Sequence, residues 1–320
     1  MRTPTSGRRL GRAGLIGALL VMAVAACTSG ASTGSPAASP SGGAPGPSGS
    51  SASSPTRIPI LIDQEVPVGA ARFLFGMTDN STNSIGSPSM TVKVAFYDVA
   101  TSTTQPAGTY DATFIWAIQD VKGVYVVKPT FADAGNWIAE FTSTAAGLTE
   151  RTRVQFEVSA TSSTPAIGKP APDTVTPTLA DVGGDVKKLS TDTTPNPDFY
   201  RVSVHDALAQ HKPFVLVFAT PAFCQTRQCG PTLDSIKAVA AAEPDMTFIN
   251  VEPYKMQFAN GSLQPVLDTT GYLQPTDVTN AWGLLTEPWI FVVDKTGVVR
   301  GSYSLIVSSD ELKAAIASVR

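Results

Sequence analysis

Seven short runs of alternating apolar and polar residues between positions 57 and 158 restrict the fold of this chain most strongly. Successive side chains of a strand point to opposite faces, so such runs predict strands with one buried face. Stretches rich in turn-forming residues (DNSTNS, TSTTQPAG and DAGN) separate them. Seven short strands in about 100 residues predict an all-β sandwich. The runs lie at 58–62, 71–75, 90–97, 112–118, 124–131, 136–142 and 151–158.

One segment of this region resembles a corner of immunoglobulin-like (Ig-like) domains. In DAGNWIAEF, Asp133, Gly135, Trp137 and Ala139 fall on alternate positions, as at the start of strand F in that family. Trp137 stands where the family usually has Tyr, and Ala139 stands where antibody domains have Cys. The resemblance therefore implies an Ig-like β-sandwich at 57–158 without a core disulfide, and it concerns fold rather than function.

The first 27 residues predict an export signal. Arg8, Arg9 and Arg12 precede an apolar run that is too short to span a membrane. The run ends in Val-Ala-Ala-Cys, which resembles the lipobox of bacterial lipoproteins, where the cysteine is lipidated and becomes the first mature residue. The resemblance implies a lipid anchor on Cys27 and a place on the extracytoplasmic face of the cell membrane. The alternative is an ordinary signal peptide (1–27) with a chance cysteine.

Two stretches of small residues predict the boundaries of the folded parts. Residues 28–56 contain only Thr, Ser, Gly, Ala and Pro. Such a segment cannot bury enough apolar surface to offset the entropy of ordering it, so it predicts a disordered tether. A second stretch at 159–166 predicts a linker between two domains. The net charge of −3 gives no indication of a nucleic-acid partner.

The pattern changes after the linker to strand, helix, strand, helix, hairpin and helix. Residues 213–219 form a continuous apolar run, as in a strand that is buried on both faces. Residues 231–242 have apolar positions at helical spacing. Asp-Lys-Thr-Gly at 294–297 predicts a hairpin turn. This order predicts an α/β domain.

Three segments, together with two cysteines between the first buried strand and its helix, resemble the thioredoxin-like superfamily, in particular its TlpA and peroxiredoxin branches. The segments are IGKPAPDTVTPTL (167–179), FATPAFC (218–224) and TEPWIFVVDKTG (286–297). The resemblance implies an α/β thioredoxin-like fold at 167–320. The predicted fold class is therefore two domains, an all-β Ig-like sandwich followed by an α/β thioredoxin-like fold. The usual C-x-x-C of that superfamily is replaced here by C-x-x-x-x-C.

The same resemblance implies a redox site at Cys224 and Cys229. The N-terminus of a helix carries unpaired N–H groups and the positive end of the helix dipole, which stabilise a thiolate and lower the pKa of a cysteine there. Cys224 comes first after the strand and is assigned as the nucleophile, with Cys229 as the resolving thiol. Pro288 corresponds to the cis-proline that packs beside the sulfurs in that family, and Glu287 directly before it is assigned as a residue that tunes the site.

The spacing of the cysteines sets a condition on the backbone between them. Residues five apart on a continuous helix lie about 8 Å apart at Cα, whereas a disulfide needs less than about 7 Å. Residues 225–228 must therefore form a loop, or must unwind when the bond forms. Gly-Pro at 230–231 fits a helix that begins after Cys229 and so favours a loop that carries both cysteines. In a second register, Cys-Gly-Pro at 229–231 matches the start of the thioredoxin motif C-G-P-C. Cys229 is then the nucleophile and Cys224 its added partner.

The predicted function is a thiol-disulfide oxidoreductase that acts on protein dithiols and disulfides outside the cytoplasm. No organic cofactor is implied, and the sequence identifies no partner for the β-domain. Three alternatives remain: a surface binding module with a structural disulfide, a thiol peroxidase, and a Cu(I) site formed by two thiolates. His205 and His211 both precede the cysteines and are interpreted as solvated helix residues rather than metal ligands.

Overall fold

The computed structural model describes residues 55–320. The predicted signal peptide, Cys27 and the tether up to residue 54 lie outside the described residues. The described residues belong to one compact unit, and the predicted division at 159–166 stays a prediction. None of the helices between residues 55 and 320 has the length and apolar character needed to cross a membrane.

Ten strands lie between residues 58 and 158. They are β1 (Ile58–Leu61), β2 (Gly69–Ala70), β3 (Phe73–Thr78), β4 (Thr91–Asp98), β5 (Gly108–Asp111), β6 (Thr113–Ile118), β7 (Lys122–Val127), β8 (Thr130–Phe131), β9 (Gly135–Ala145) and β10 (Leu148–Val158). Sheet A has the order β1-β3-β7-β6 and sheet B the order β10-β9-β4-β5, while β2 pairs with β8. The pairs are antiparallel. Strands therefore form where the alternating runs predict them.

Sheets A and B share one aromatic core. Phe75 of sheet A packs against Phe141 of sheet B, with the ring centroids 4.8 Å apart, and Phe73 packs on Phe96 at 5.1 Å. All four rings are buried, and burial of such large side chains is a major stabilising contribution. The two sheets thus depend on each other for the burial of their facing sides.

Six further strands and four α-helices follow. They are α1 (Val204–Ala209), β11 (Phe214–Phe218), α2 (Cys229–Ala242), β12 (Thr247–Val251), β13 (Met256–Ala259), β14 (Ser262–Pro265), α3 (Asp277–Ala281), β15 (Trp289–Val293), β16 (Val299–Ser304) and α4 (Ser309–Ala317). Three short 3₁₀ turns precede α1, at Ala180–Val182, Val186–Lys188 and Pro197–Tyr200. Sheet C has the order β12-β11-β15-β16. Only β11 and β12 are parallel within it.

Both faces of sheet C are buried. On one face, side chains of β11 and β15 pack with α2 and α4, and Cys229 belongs to this cluster. On the other face, alternate side chains of the same strands pack with α1 and with Trp282. This double burial explains the continuous apolar run at 213–219, because every side chain of β11 faces a core.

The predicted fold class, an Ig-like sandwich followed by an α/β thioredoxin-like fold, is wrong. The described residues are mostly β, with 37% strand and 17% helix distributed over several small sheets, and a thioredoxin-like α/β domain is not shown. One physical reason lies after β12, where the chain forms the hairpin β13–β14 instead of a helix. Asn260 and Gly261 take φ angles of 54° and 80° at its turn, as the tight hairpin turn requires. Prolines at 253, 265 and 275 also oppose a helix here.

The outer face of sheet A packs against the chain that follows β16. Leu305 and Ile306 pack with Leu74, Val124 and other side chains of sheet A. Two polar links flank this contact. Arg72 donates two hydrogen bonds of 3.0 Å each to the carboxylate of Glu311, and Ser304 donates a 2.6 Å hydrogen bond to Asp63. Sheet A is therefore buried on both faces, and the elements that carry the cysteines lie against it.

Candidate functional site

The two cysteines lie at the end of the loop that joins β11 to α2. Cys224 belongs to the loop, Cys229 is the first residue of α2, and the two are joined by a disulfide with Cα atoms 5.9 Å apart. The helix begins at Cys229, and Pro231 occupies its first turn, where no N–H partner is needed. The prediction that residues 225–228 form a loop is confirmed.

The two sulfurs differ in their access to solvent. Cys229 is completely buried and packs with Leu233 and Ile236, whereas Cys224 is half-buried. The backbone N–H of Cys229 donates a hydrogen bond to the sulfur of Cys224, at 3.1 Å. The sulfur that solvent reaches is therefore also the one that faces a donor at the helix N-terminus, where the backbone favours negative charge.

The buried turn at Glu287 and Pro288, directly before β15, contacts the cysteine loop. The peptide bond between Glu287 and Pro288 is cis, as the family resemblance implies for Pro288. Thr226 in the cysteine loop donates its hydroxyl proton to the carbonyl of Glu287, at 2.8 Å. The carbonyl of Pro288 accepts from the N–H of Leu305, at 2.8 Å. These bonds hold the turn between the cysteine loop and the segment that packs on sheet A.

The side chain of Glu287 connects this turn to the cysteine loop. It is only 2% exposed. One carboxylate oxygen accepts from the backbone N–H of Gln225 at 2.7 Å, and the other accepts from the hydroxyl of Tyr254 at 2.6 Å. Burial raises the pKa of the Glu287 carboxyl above its ordinary value, although these hydrogen bonds oppose the shift. Burial, together with the neighbouring Glu287, also raises the pKa of Tyr254.

Three of the predicted site residues have side-chain donor atoms that lie close together. The sulfurs of Cys224 and Cys229 and one carboxylate oxygen of Glu287 all lie within 4.8 Å of one another. Pro288 follows Glu287 and is buried beside them. Arg227, in the same loop as Cys224, is exposed. His205 donates a 2.8 Å hydrogen bond from Nδ1 to the carboxylate of Asp173 on the surface.

A second buried acid, Glu252, lies close to the cysteine loop and was missed by sequence reasoning. It follows β12, and one of its oxygens accepts from the N–H of Thr191 at 2.6 Å. Its other oxygen is buried without a hydrogen-bond partner. The hydroxyl of Thr191 in turn accepts from the N–H of Ala222, at 3.3 Å. Burial raises the pKa of Glu252 to about 7. Its position at the end of a buried strand was the only available signal.

A glutamine joins the cysteine loop to the edge of sheet A. Gln228 directly precedes Cys229 and is buried. Its side-chain amide donates to the carbonyl of Ala117 in β6 at 2.8 Å, and it also contacts the hydroxyl of Thr232 at 3.3 Å. Strand β6 therefore fixes the backbone immediately before the buried cysteine.

No protein-family model, curated protein or solved structure matches this chain.

Proposed function

We propose that this protein exchanges electrons with protein dithiols and disulfides through the bond between Cys224 and Cys229. One observation carries the proposal: a half-buried sulfur is bonded to a fully buried one at the first residue of a helix. Thiol-disulfide exchange needs one sulfur that a partner can reach and a second that can leave or resolve inside the protein. The unequal exposure of Cys224 and Cys229 supports these two roles.

Reduction of the bond begins with a partner thiolate that attacks Sγ of Cys224, since solvent reaches this sulfur. The bond between the cysteines breaks, and Sγ of Cys229 leaves with the electron pair and takes a proton released by the second partner thiol. That second thiolate then attacks the partner sulfur in the mixed disulfide and releases Cys224 as a thiolate. The partner is oxidised to a disulfide while the protein gains two electrons, and the reverse reaction follows the same steps backwards.

The hydrogen bond from the Cys229 N–H to the Cys224 sulfur supports the thiolate in this scheme. A donor at 3.1 Å stabilises a negatively charged sulfur more than a neutral one. The Thr226 hydroxyl lies 3.3 Å from the same sulfur, but its proton is directed to the carbonyl of Glu287. The helix N-terminus is therefore the main source of stabilisation for the Cys224 thiolate.

The reduction potential of the Cys224–Cys229 bond tests this proposal. The purified protein is equilibrated in glutathione buffers and its free thiols are trapped. We expect a value between about −270 and −120 mV, the range of known exchangers, and the value indicates whether the protein oxidises or reduces its partners. A value below about −300 mV, with no reaction toward dithiols, is typical of a structural disulfide and would support the binding-module alternative.

The proposal includes attachment to the extracytoplasmic face of the membrane through Cys27, supported by the Val-Ala-Ala-Cys sequence that ends the leader. A lipid on this cysteine would keep the site in a compartment where disulfides persist. We expect the protein to take up a labelled fatty acid and to fractionate with membranes. The Cys27→Ser variant should lose the label and appear in the soluble fraction, and a labelled Cys27→Ser protein would contradict the anchor.

A further inference from the structure

The three donor atoms of the site have a second use, and we propose that the reduced form binds Zn²⁺ through Cys224, Cys229 and Glu287. The two sulfurs and one carboxylate oxygen lie within 4.8 Å of one another. Two thiolates and a carboxylate are ligands that Zn²⁺ accepts together. This inference rests on the proposed function in one respect: the bond between the cysteines must be reducible, so that both thiols become available.

The spacing of the donors requires little rearrangement. Zn–S bonds of about 2.3 Å and Zn–O bonds of about 2.1 Å place tetrahedral ligands about 3.6–3.8 Å apart. The sulfurs must therefore separate after reduction, while the carboxylate stays within its present range. Cys229 is fixed in α2, but Cys224 belongs to the loop, which leaves it free to take up this change. The half-buried side of Cys224 gives water access to the fourth coordination position.

The carboxylate of Glu287 is held in place by neighbours that do not bind the metal. The Gln225 N–H and the Tyr254 hydroxyl each donate to one of its oxygens, at 2.7 and 2.6 Å. A carboxylate that accepts these bonds still has lone pairs for one metal bond. Such outer partners orient metal ligands and commonly change affinity by about 10- to 100-fold when removed.

The binding step balances without electron transfer. A dithiol or phosphine reductant first gives two electrons to the disulfide and is itself oxidised, and both cysteines become thiols. Zn²⁺ then displaces one proton from each thiol to solvent and bonds to both sulfurs and to the carboxylate. Because both sulfurs are occupied, the metal-bound form cannot attack a partner disulfide. Zn²⁺ would thus block exchange reversibly.

The carboxylate distinguishes Zn²⁺ from Cu(I), the metal that two thiolates alone would suit. Cu(I) is soft and gains little from a hard oxygen ligand, whereas Zn²⁺ accepts oxygen, nitrogen and sulfur. Loss of the Glu287 carboxylate should therefore weaken Zn²⁺ binding strongly and leave Cu(I) binding nearly unchanged. The change in Zn²⁺ and Cu(I) affinity when Glu287 is replaced therefore shows which of the two metals the site is suited to bind.

The test is metal titration of the full protein after reduction with a phosphine, its removal without air, and a count of free thiols. We expect Co²⁺, used as a spectroscopic substitute, to bind at one equivalent with a thiolate-to-cobalt charge-transfer band and tetrahedral visible bands. Zn²⁺ should displace it. Glu287→Gln should weaken Zn²⁺ affinity at least about 10-fold, Cys224→Ser should abolish the charge-transfer band, and the matched control Glu157→Gln should bind as the parent does.

The outcomes of this titration distinguish failure of the Zn²⁺ site from failure of the proposed disulfide exchange. If two thiols are counted but no stoichiometric metal binding follows, or if Glu287→Gln binds Zn²⁺ as tightly as the control, the metal site is refuted and disulfide exchange is untouched. If the bond resists reduction in the folded protein, both proposals fail. Circular dichroism checks that Glu287→Gln folds, and Tyr254→Phe gives a milder variant that keeps all three ligands and should weaken binding less.

Discussion

Replacing Cys229 with serine is expected to trap a mixed disulfide on Cys224, whereas replacing Cys224 is expected to abolish reaction with external disulfides. Cys224 is the sulfur that solvent reaches, while Cys229 is completely buried. In the parent protein Cys229 attacks the mixed disulfide from within the same molecule. An external thiol at millimolar concentration lacks this advantage of proximity, so release from the Cys229→Ser adduct should be at least about 100-fold slower.

A chromogenic aromatic disulfide measures both effects. The reduced parent should release two equivalents of the aromatic thiol and keep none, because Cys229 resolves the adduct. Cys229→Ser should release one equivalent and retain the other as an adduct visible by mass spectrometry. Cys224→Ser should release none until denaturation exposes Cys229. The double variant, used as the control, should release none from this site in either state. Rapid native reaction of Cys224→Ser would contradict the assignment and favour the second register, in which Cys229 is the nucleophile.

Raising the pH should destabilise the protein through Glu252, and the Glu252→Gln variant should remove this effect. Burial raises the pKa of Glu252 from 4.5 to about 7. Below pH 4.5 the carboxyl is protonated in both the folded and the unfolded chain, so it does not change the free energy of unfolding. Between these values only the unfolded chain ionises, and the free energy of unfolding falls as the pH rises. The full loss above pH 7 is about 3 kcal/mol.

Some of the groups around Glu252 raise its pKa and others lower it. Asp192 adds negative charge nearby and raises it, while hydrogen bonds from Thr191 and Thr220 lower it. Lys237 is bound to Asp192 at 2.7 Å and offsets part of that charge. Tyr200 faces the same cluster, and burial raises the pKa of its hydroxyl to about 12, so it stays neutral over this range. Desolvation of Glu252 therefore dominates.

Denaturant unfolding of parent and Glu252→Gln between pH 4.5 and 8 measures the effect. The stability of the variant relative to the parent should increase by about 3 kcal/mol across this interval. Asp245→Asn, which alters an exposed carboxylate between α2 and β12, serves as the control. A constant difference in stability between parent and Glu252→Gln from about pH 4.5 to 8 would show that folding does not raise the pKa of Glu252, and it would contradict the prediction.

Local signals in the sequence predicted part of the site. Cysteine spacing predicted the loop at 225–228, and the Gly-Pro pair placed the start of α2 within one residue of its position. These features depend on neighbours along the chain. Glu252 and Tyr254 were missed because their roles depend on contacts with residues 33 to 61 positions away, Glu287 and Thr191. Hydrogen-bond partners so far apart leave no periodic pattern.

The error in fold class has a similar origin. A continuous apolar run indicates a strand buried on both faces, but it does not specify whether the neighbouring strands are parallel. Strand β11 has one parallel neighbour, β12, and one antiparallel neighbour, β15. The hairpin at 256–265 was missed because each of its strands has only four residues, although Asn260-Gly261 is a strong turn signal.

The double burial of sheet A has a consequence for how this protein can change during evolution. Leu305 and Ile306 fill the space above Leu74 and Val124, and packed interiors tolerate changes of volume poorly unless a neighbour compensates. Descendants of this chain should therefore vary the two sides of this contact in concert. A recombinant that exchanged residues 57–158 for an unrelated β-rich segment would lose the surface on which Leu305 rests. We therefore expect that the two portions can be exchanged only together.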